Sequence, residues 1–456
     1  MSGHLRVRVV VLSFDGGQMT IDCLESLLAT EWPAEALEIV MVDNGSLDDV
    51  TDRVRRTMPR VRILEPLANL GFAGGCNLGL RAPAVGGFEP DLFALVNNDA
   101  TVAPGWLREM QRAISTADDI GAVSAKMLFA DRFTSAEFEI LPVNAADSAR
   151  PDTSSSMCFT AVRLDGRKSD RISFDEGVFG LQQAEDPTQH EMQRWTSARG
   201  SIRIAHGESG EPVDQVLSVQ LRSREPLRVR LHSGVDDKTI DVGAEATWHD
   251  IRVAGTPFDV INNVGSNLYR AGFGGDRGFL EPDRGQYEEP AEVFAWCGGA
   301  VLLRREYLES VGVFDDRLFL YYEDTDLSWR GRLQGWRYVY EPRAVVRHRH
   351  AQSSGVGSPV FRFHTERNRL LVLAKCAPAR LALRAGLGEC KRTVVMNLRG
   401  LVWRPLTLRM PDRPEAAHRR RVLASYLSLL PGVLRDRWMM DRRVSRRSLM
   451  TWEVQK

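Results

Sequence analysis

Between residues 5 and 130 the chain switches hydrophobic period repeatedly, and that alternation constrains the fold more than any other feature. Arg6–Phe14 is a β-branched apolar run, as expected of a strand buried on both faces. Met19–Ala29 sets Ile21, Leu24, Leu27 and Leu28 at helical spacing. Leu37–Val42 reads as a second strand, Asp48–Met58 as a helix and Val61–Leu64 as a short strand. A Gly-rich turn then opens a helical segment over Phe72–Arg81, and Leu92–Val96 and Val123–Leu128 supply two more strands. Strands and helices alternating at this spacing predict an α/β, Rossmann-like domain with a mostly parallel sheet flanked by helices. In such sheets ligands bind beyond the carboxyl ends of the strands, where the polar clusters of this chain fall.

The pattern changes near residue 131. From there to 258 the chain offers short alternating runs separated by Gly, Ser, Asp and Pro: Ser201–Ala205, Gln215–Leu221, Leu227–Leu231, Thr239–Val242 and Thr247–Val253. This predicts an inserted β-sandwich-like domain over 131–258. The α/β domain is then discontinuous, formed by 1–130 and 259–370. Residues 259–290 read as mostly loop. Glu292–Arg304 reads as a strand, Arg305–Val311 and Thr325–Leu333 as helices, and Arg337–Tyr340 as a strand. Residues 371–456 read as a basic helical region.

Charge is neutral overall but uneven. From Cys376 to the end there are 18 Lys or Arg against 6 Asp or Glu. Such a tail suits an anionic membrane surface or a pyrophosphate carrier, or is a solvated Arg-rich appendage. No nucleic-acid motif accompanies it, so a nucleic-acid partner is not expected. The six cysteines form no CxxC pair and fit no zinc spacing, which favours a reducing cytosol. The N-terminus lacks a signal-peptide layout, and no apolar stretch reaches the roughly 18–20 residues of a membrane span. The expected location is cytoplasmic, with any membrane contact peripheral at the inner face.

Four clusters carry chemistry. Asp43-Asn44-Gly45-Ser46 follows the second strand; a carboxylate there can accept from a base or ribose, and the same residues make a good turn. Asn69 through Gly79 is Gly-rich and opens a helix, so backbone N–H groups can approach a phosphate or sugar, although the order is neither GxGxxG nor a Walker loop. Asn97-Asn98-Asp99 follows a buried strand, where Asp99 can ligate a hard divalent cation or serve structure alone. Glu323-Asp324-Thr325-Asp326 sets three acids at a helix start, which suits the helix dipole or a general base. Downstream, His348 can supply an imidazole to a metal or pyrophosphate, or be a satisfied hydrogen-bonding residue.

Taken together, the order and spacing of these pieces resemble the family-2 inverting glycosyltransferases of GT-A fold, particularly bacterial rhamnosyltransferase-like members. The matching pieces run from Val9 through Phe14, Val42 through Ser46, Asn69 through Asn77 and Asn97 through Asp99. They continue through Gly298–Arg305, Val311–Asp315, Tyr322–Leu327 and Pro342–His348. The resemblance leaves out the β-rich insert and the basic tail. It implies that Phe14, Asp43 and Asn44 line the nucleoside site. It implies that Asn69, Gly71, Phe72, Gly74 and Asn77 cradle the nucleotide sugar, with Asn97 and Asn98 beside it. Asp99 and His348 would hold Mg²⁺ or Mn²⁺, Asp324 would be the base, and Glu323 would orient it or bind acceptor. Two departures stand out: Asn97 replaces the first acid of an Asp-x-Asp-type motif, and Asp15 stands where many relatives carry Asn. The implied reaction moves a sugar from an NDP-sugar, dTDP-rhamnose or a UDP-sugar favoured, to a glycan or lipid-linked acceptor in cell-envelope polysaccharide synthesis. The alternative is a non-catalytic carbohydrate-binding or scaffold protein built around the insert.

Overall fold

The computed structural model describes residues 5–141, 157–174, 194–208, 210–349, 358–402 and 413–455. It divides into two compact units, one of Met1–Leu128, Ile261–Phe279 and Gly285–Lys456, the other of Phe129–Val260 and Leu280–Arg284.

The first unit begins with β1 (Val7–Ser13), α1 (Gly17–Leu28), β2 (Leu37–Asp43), α2 (Val50–Thr57), β3 (Val61–Leu64), α3 (Gly71–Leu80), β4 (Leu92–Asn97), β5 (Ala100–Val102), α4 (Trp106–Ile114) and β6 (Ile120–Phe129). Strands β3, β2, β1 and β4 lie side by side and parallel, with Val10 opposite Val40 and Leu95. The two faces of β1 explain its unbroken valines. Val7, Val9 and Val11 pack with Ile21, Leu24 and Leu27 of α1, whereas Val10 packs with Ala73, Cys76 and Leu80 of α3. A period-two strand covered by helices on both sides has no solvent face to make polar.

The second unit holds β7 (Phe133–Leu141), β8 (Met157–Leu164), β9 (Ile172–Phe174), β10 (Arg194–Trp195), β11 (Arg199–Ala205), β12 (Val213–Ser223), β13 (Leu227–His232), β14 (Asp237–Val242) and β15 (Thr247–Gly255). They form two antiparallel sheets, β10-β8-β12-β15 and β14-β13-β7-β11-β9. One core that includes Phe138, Phe159, Ile204, Val219, Val229 and Val253 lies between them. This is a sandwich-like arrangement. Strands β7 and β8 are not legible in the sequence as strands.

The chain returns to the first unit with β16 (Ile261–Asn263), β17 (Ser266–Tyr269), β18 (Phe273–Asp276), β19 (Ala291–Glu292), β20 (Ala300–Arg304), α5 (Arg305–Val311), α6 (Glu323–Gln334) and β21 (Arg337–His348). The stretch 259–290, expected to be mostly loop, therefore carries three short strands. Glu292–Arg304 is not one strand but two, separated by the turn that carries Cys297-Gly298-Gly299. β20 runs antiparallel between β4 and β6, so the ten-stranded sheet is mixed, its parallel part confined to β3-β2-β1-β4 among these neighbours.

Last come α7 (Pro359–Cys376), α8 (Ala379–Val402), α9 (Arg413–Met439) and β22 (Glu453–Val454). Ser358 caps α7 by accepting from the Phe361 N–H at 3.1 Å, and Pro359 opens its first turn, where a missing N–H costs nothing. Leu371, Leu373, Val422 and Val433 of these helices share a core with Trp329 and Leu333 of α6. β22 pairs with β17, so the C-terminal region is built into the first unit. No helix among the described residues is long and apolar enough to cross a membrane.

Two glycines set how closely α3 approaches the sheet. A Cβ on Gly79 would lie 2.4 Å from Val10 Cγ1, and one on Gly75 would lie 2.3 Å from Leu12 Cδ1. Their smallness serves helix–strand packing, not only access to a ligand. Gly79→Ala should therefore destabilise the fold. Overpacking against a central strand costs about 1–3 kcal/mol, which outweighs the gain in helix propensity of up to about 1 kcal/mol. A urea midpoint at or above that of the wild type would contradict this reading.

Candidate active site

Because β1, β2 and β4 are parallel, their carboxyl ends bring Phe14, Asp43 and Asn97 to one edge of the sheet. Phe14 is exposed there, a free aromatic face. Asp43 is buried and accepts from the Ser46 N–H at 2.9 Å and the Thr51 hydroxyl at 2.6 Å. Burial pushes its carboxyl up, but these hydrogen bonds outweigh burial and hold it below the usual carboxylate range. Asp15, the departure from the family pattern, has φ 48° and accepts from the Leu47 N–H at 2.6 Å, while its own N–H donates to Ser46 Oγ at 3.0 Å. It ties the loop after β1 to the loop after β2.

Asn44 and Asn69 hold each other. Asn44 Nδ2 donates to Asn69 Oδ1 at 2.9 Å, Asn44 Oδ1 accepts from the Leu70 N–H at 2.8 Å, and Asn69 Oδ1 accepts from the Gly71 N–H at 2.8 Å. These amides shape the turn that opens α3. Gly71 has φ 70°, and a Cβ there would lie 2.5 Å from the Phe319 carbonyl oxygen, so no other residue fits. Asn77 is buried and committed on both sides: Nδ2 donates to Phe314 O at 2.9 Å and Asp316 Oδ1 at 2.6 Å, and Oδ1 accepts from the Phe314 N–H at 3.0 Å. Its amide ties α3 to the 314–316 segment rather than facing a sugar. Of the expected cradle, Phe72 stands closest to the acids: a Cβ on Gly298 would lie 3.5 Å from Phe72 Cζ and 3.8 Å from Asp324 Cβ. Gly74 backs onto Leu70 instead.

Asp99 and His348, far apart in sequence, meet: Oδ1 lies 2.9 Å from Nε2, with both side chains largely buried. His348 Nδ1 lies 3.0 Å from Asn262 Oδ1, so the far side of the ring is held by an amide. Asn97 Nδ2 lies 3.3 Å from Nε2, so the first position of the motif touches the imidazole itself. Asn98 instead donates to Thr20 Oγ1 at 3.0 Å. Among the described residues no group of three or more His, Cys, Asp or Glu side chains is arranged to hold a metal. A carboxylate and an imidazole held in place by Asn262 still fit a cation that takes its other ligands from phosphate and water.

The acids of α6 have separate surroundings. Asp324 is half-buried; Oδ2 accepts from the Gly298 N–H at 3.2 Å and Oδ1 from the Thr325 N–H at 2.6 Å. Burial pushes its carboxyl up, against the pull of those donors. Glu323 is buried, and its Oε2 has no hydrogen-bond partner among the described residues. Burial first, and the Asp324 charge second, push this carboxyl well above the usual range. That is a poor position from which to bind acceptor. Asp326 is fully buried, accepts from Arg330 Nε at 2.8 Å and lies 2.8 Å from Lys375 Nζ.

Three functional candidates escaped the sequence reading. Asp276, at the end of β18, is open to solvent yet crowded. Desolvation by the surrounding walls and the Asp324 charge push its carboxyl up to about 6, opposed by a 2.6 Å hydrogen bond from Asn263 and by His348. It thus lies electrostatically between the base candidate and the imidazole. The other two are Arg367 and Asn368 on α7. Buried Asn368 Nδ2 donates to the carbonyls of Leu318, Leu320 and Tyr321 at 2.7–2.9 Å. Arg367 donates to those of Arg317 and Leu318 at 3.0 and 2.9 Å. These carbonyls belong to the loop that leads into α6, where Phe319, Tyr321 and Tyr322 have φ of 63°, 66° and 69°. The signals were a Gly-Gly-Asp in a loop-like stretch and an Arg-Asn-Arg break in an apolar helix.

Residues 8–143 match the family model described as glycosyl transferase family 2. An N-acetylglucosaminyl-diphospho-decaprenol L-rhamnosyltransferase of Mycobacterium tuberculosis is 46% identical over 69 residues, 15% of this chain and 22% of that protein. An uncharacterized glycosyltransferase of Haemophilus influenzae is 25% identical over 122 residues, 26% of this chain and 36% of that protein. A solved structure of GalNAc-T7 with UDP, GalNAc and Mn²⁺ aligns at TM-score 0.47 and 12% identity, over 96% of this chain and 59% of that one, a likeness too loose to carry site residues across. The N-terminal part of the chain, residues 8–143, is thus similar to glycosyltransferase family 2. The chain spans about a fifth to a third of the length of these curated relatives.

Two outcomes test the local chemistry. Thr51→Val removes a donor from an ionised, buried carboxylate and should cost about 1.5–3 kcal/mol at neutral pH. A carboxyl whose folded pKa is depressed contributes stability above its unfolded value and loses it as pH falls through the folded one. The gap between wild type and variant should therefore narrow in acid; a gap independent of pH in denaturation series would count against it. Asn368→Leu leaves the Leu320 and Tyr321 carbonyls of a strained loop without this donor, while the Leu318 carbonyl keeps Arg367. It should lower turnover at least tenfold while nucleotide affinity stays within about twofold. Equal loss of both would mean a general collapse instead.

Proposed function

We propose that this chain is an inverting glycosyltransferase that moves a sugar from an NDP-sugar to a hydroxyl of a glycan or lipid-linked acceptor in cell-envelope polysaccharide synthesis. The name of the mycobacterial relative favours dTDP-rhamnose as donor, with a UDP-sugar next. The observation that carries the proposal is Asp324: a half-buried carboxylate of raised proton affinity, beside Gly298 and Phe72 and in the electrostatic field of Asp276.

The acceptor oxygen bonds to the anomeric carbon as the bond from that carbon to the diphosphate oxygen breaks. Attack from the face opposite the leaving group inverts the configuration. Asp324 takes the hydroxyl proton, and its raised proton affinity makes it a stronger base than an exposed aspartate. Phe14 offers a ring to the nucleobase, and the ionised Asp43 stands at the strand end beside it. Asp99 and His348 would hold a divalent cation, which when bound supplies charge compensation to the departing diphosphate.

Asp324→Asn should lower turnover about 10²-fold or more and leave binding of UDP or dTDP, followed calorimetrically with and without Mg²⁺ or Mn²⁺, largely unchanged. The base acts only when ionised, so wild-type turnover should rise with pH across a limb that lies above the ordinary carboxylate range. Near-wild-type turnover of the variant would remove Asp324 as the base. Failure of the folded chain to bind any of UDP, dTDP or GDP would favour the carbohydrate-binding alternative. The place to look would then be a cleft of about 490 Å³ in the second unit, lined by Glu137, Glu139, Arg199, Ser201, Arg230 and His232.

A further inference from the structure

The last two long helices each carry an apolar stripe on the side turned away from the fold. On α8 the inward residues are Gly386, Glu389 and Thr393, and a Cβ on Gly386 would lie 3.0 Å from the Tyr426 hydroxyl of α9. The other side carries Leu383, Leu387, Val394 and Leu398, at intervals of four, seven and four residues, which at about 100° per residue is one stripe. All four are more than half exposed, Leu387 at 68%. Helix α9 repeats the pattern with Leu427, Leu434 and Trp438, at intervals of seven and four, and Trp438 is 91% exposed. A packed helix gains nothing from an apolar stripe in water, and an exposed tryptophan at its end is costly to keep there.

Charge on these helices is sorted as sharply. Exposed Arg380, Arg384 and Lys391 border the α8 stripe, and exposed Arg435, Arg442 and Arg443 surround the Trp438 end of α9. The acids are few and mostly paired, with Asp441 exposed beside the arginines just past α9. Glu389, the one acid of α8, is buried against Arg419; on α9, Glu415 pairs with Arg362 and Asp436 with Arg317. A surface that is apolar along its middle, cationic at its borders and poor in acids complements a bilayer interface with anionic headgroups. Nucleic acid would complement the cations but leave the leucines and Trp438 in water. Trp438 among arginines is the side-chain set of a membrane interface, where an amphipathic ring sits at headgroup depth.

We propose that the outward faces of α8 and α9 dock the chain, lying flat, on an anionic lipid surface. The helices enter no further than the interface, since neither is long and apolar enough to cross. Not all the basic tail takes part: Arg437 and Arg446 donate to carbonyls at the end of α7, Ala374, Lys375 and Ala377 among them, and are spent inside the fold. If the glycosyltransferase reading holds, the acceptor class this selects is one anchored in the same membrane.

The test is flotation of the full chain with vesicles of phosphatidylcholine alone and of phosphatidylcholine with 30% phosphatidylglycerol, at low and high salt. Comparison variants are Leu387→Ser/Trp438→Ser, whose sites are exposed, and Arg384→Gln/Lys391→Gln. Wild type should float with the anionic vesicles and little with the neutral ones, and each double variant should lose about tenfold or more of that partitioning. Absence of flotation, or flotation abolished by salt but untouched by Leu387→Ser/Trp438→Ser, would overturn the proposal. So would a dimer in sedimentation that this variant dissociates, because the stripe would then belong to a second copy. Circular dichroism and nucleotide titration of the same samples keep folding and donor chemistry separate, since flotation needs neither donor nor acceptor.

Discussion

A single buried ammonium holds the acid-bearing helix to the end of the chain. Lys375, near the C-terminus of α7, reaches Asp315 ahead of α6 and Asp326 within it. Burial alone would strip its proton; the two carboxylates outweigh that and hold its pKa above the ordinary lysine value. Arg317 and Arg330 complete the set from the other side, Arg317 pairing with Asp315 and Arg330 with Asp326. Ions removed from water cost several kcal/mol each unless every one is matched. The network therefore tolerates one arrangement of α6 against α7, and Asp324, two residues from Asp326, inherits its position from it. Arg317 extends the same network to Asp436 on α9.

The strain just upstream is the counterpart of that clasp. Three non-glycine residues with positive φ within four positions cost of order 1–3 kcal/mol each, and they persist because carbonyls of the same loop, those of Arg317, Leu318, Leu320 and Tyr321, are held from outside by Arg367 and Asn368. His364 lies stacked on Phe319 with ring centroids 5.3 Å apart, and burial, with Arg367 beside it, pushes the imidazole down to about 4, so it packs as a neutral ring. On its other side the Phe319 carbonyl accepts from the Ala73 N–H at 3.1 Å. The turn that opens α3 and the loop that opens α6 thus share a residue, which is why Gly71 admits no side chain.

The parallel half of the sheet was legible because its evidence is local. A strand covered on both faces needs an unbroken apolar run, and Val9-Val10-Val11 supplies one within three residues. The site was legible as a set of motifs for a related reason: acids and glycines at strand and helix ends keep their order whatever packs around them. What stayed hidden depends on distant partners. β17 and β18 look like loop because glycine and asparagine dominate them, yet β17 is flanked by β18 and by Glu453–Val454 from the chain end. Asn77 reads as a polar residue beside a nucleotide, but its partners Phe314 and Asp316 lie more than 230 residues on. The basic tail reads as a free cationic surface, whereas Arg419 and Arg437 are spent on Glu389 and on the end of α7. A count of charges cannot separate the arginines that cap from those that face outward.

Three acids within four positions ought to repel one another, and the fold resolves this by giving each a different electrostatic environment. Along a helix, Asp324 and Asp326 are two residues apart and point about 200° away from each other. Asp326 faces the interior, where Lys375 and Arg330 match it. Glu323 also faces the interior but finds no cation among the described residues, so burial raises its proton affinity well above that of a free carboxyl. Asp324 faces the opening and receives two backbone N–H groups, enough to keep a carboxylate there without a counter-ion that would lower its proton affinity. Replacing the Gly298 and Thr325 donors by an arginine would make Asp324 more comfortable and a weaker base. The same segment could not serve with all three acids ionised, since like charges a few ångströms apart in a half-buried site cost several kcal/mol. The ion pairs of Asp326 and the raised proton affinity of Glu323 are thus what suit Asp324, in the proposed reaction, to carry a proton.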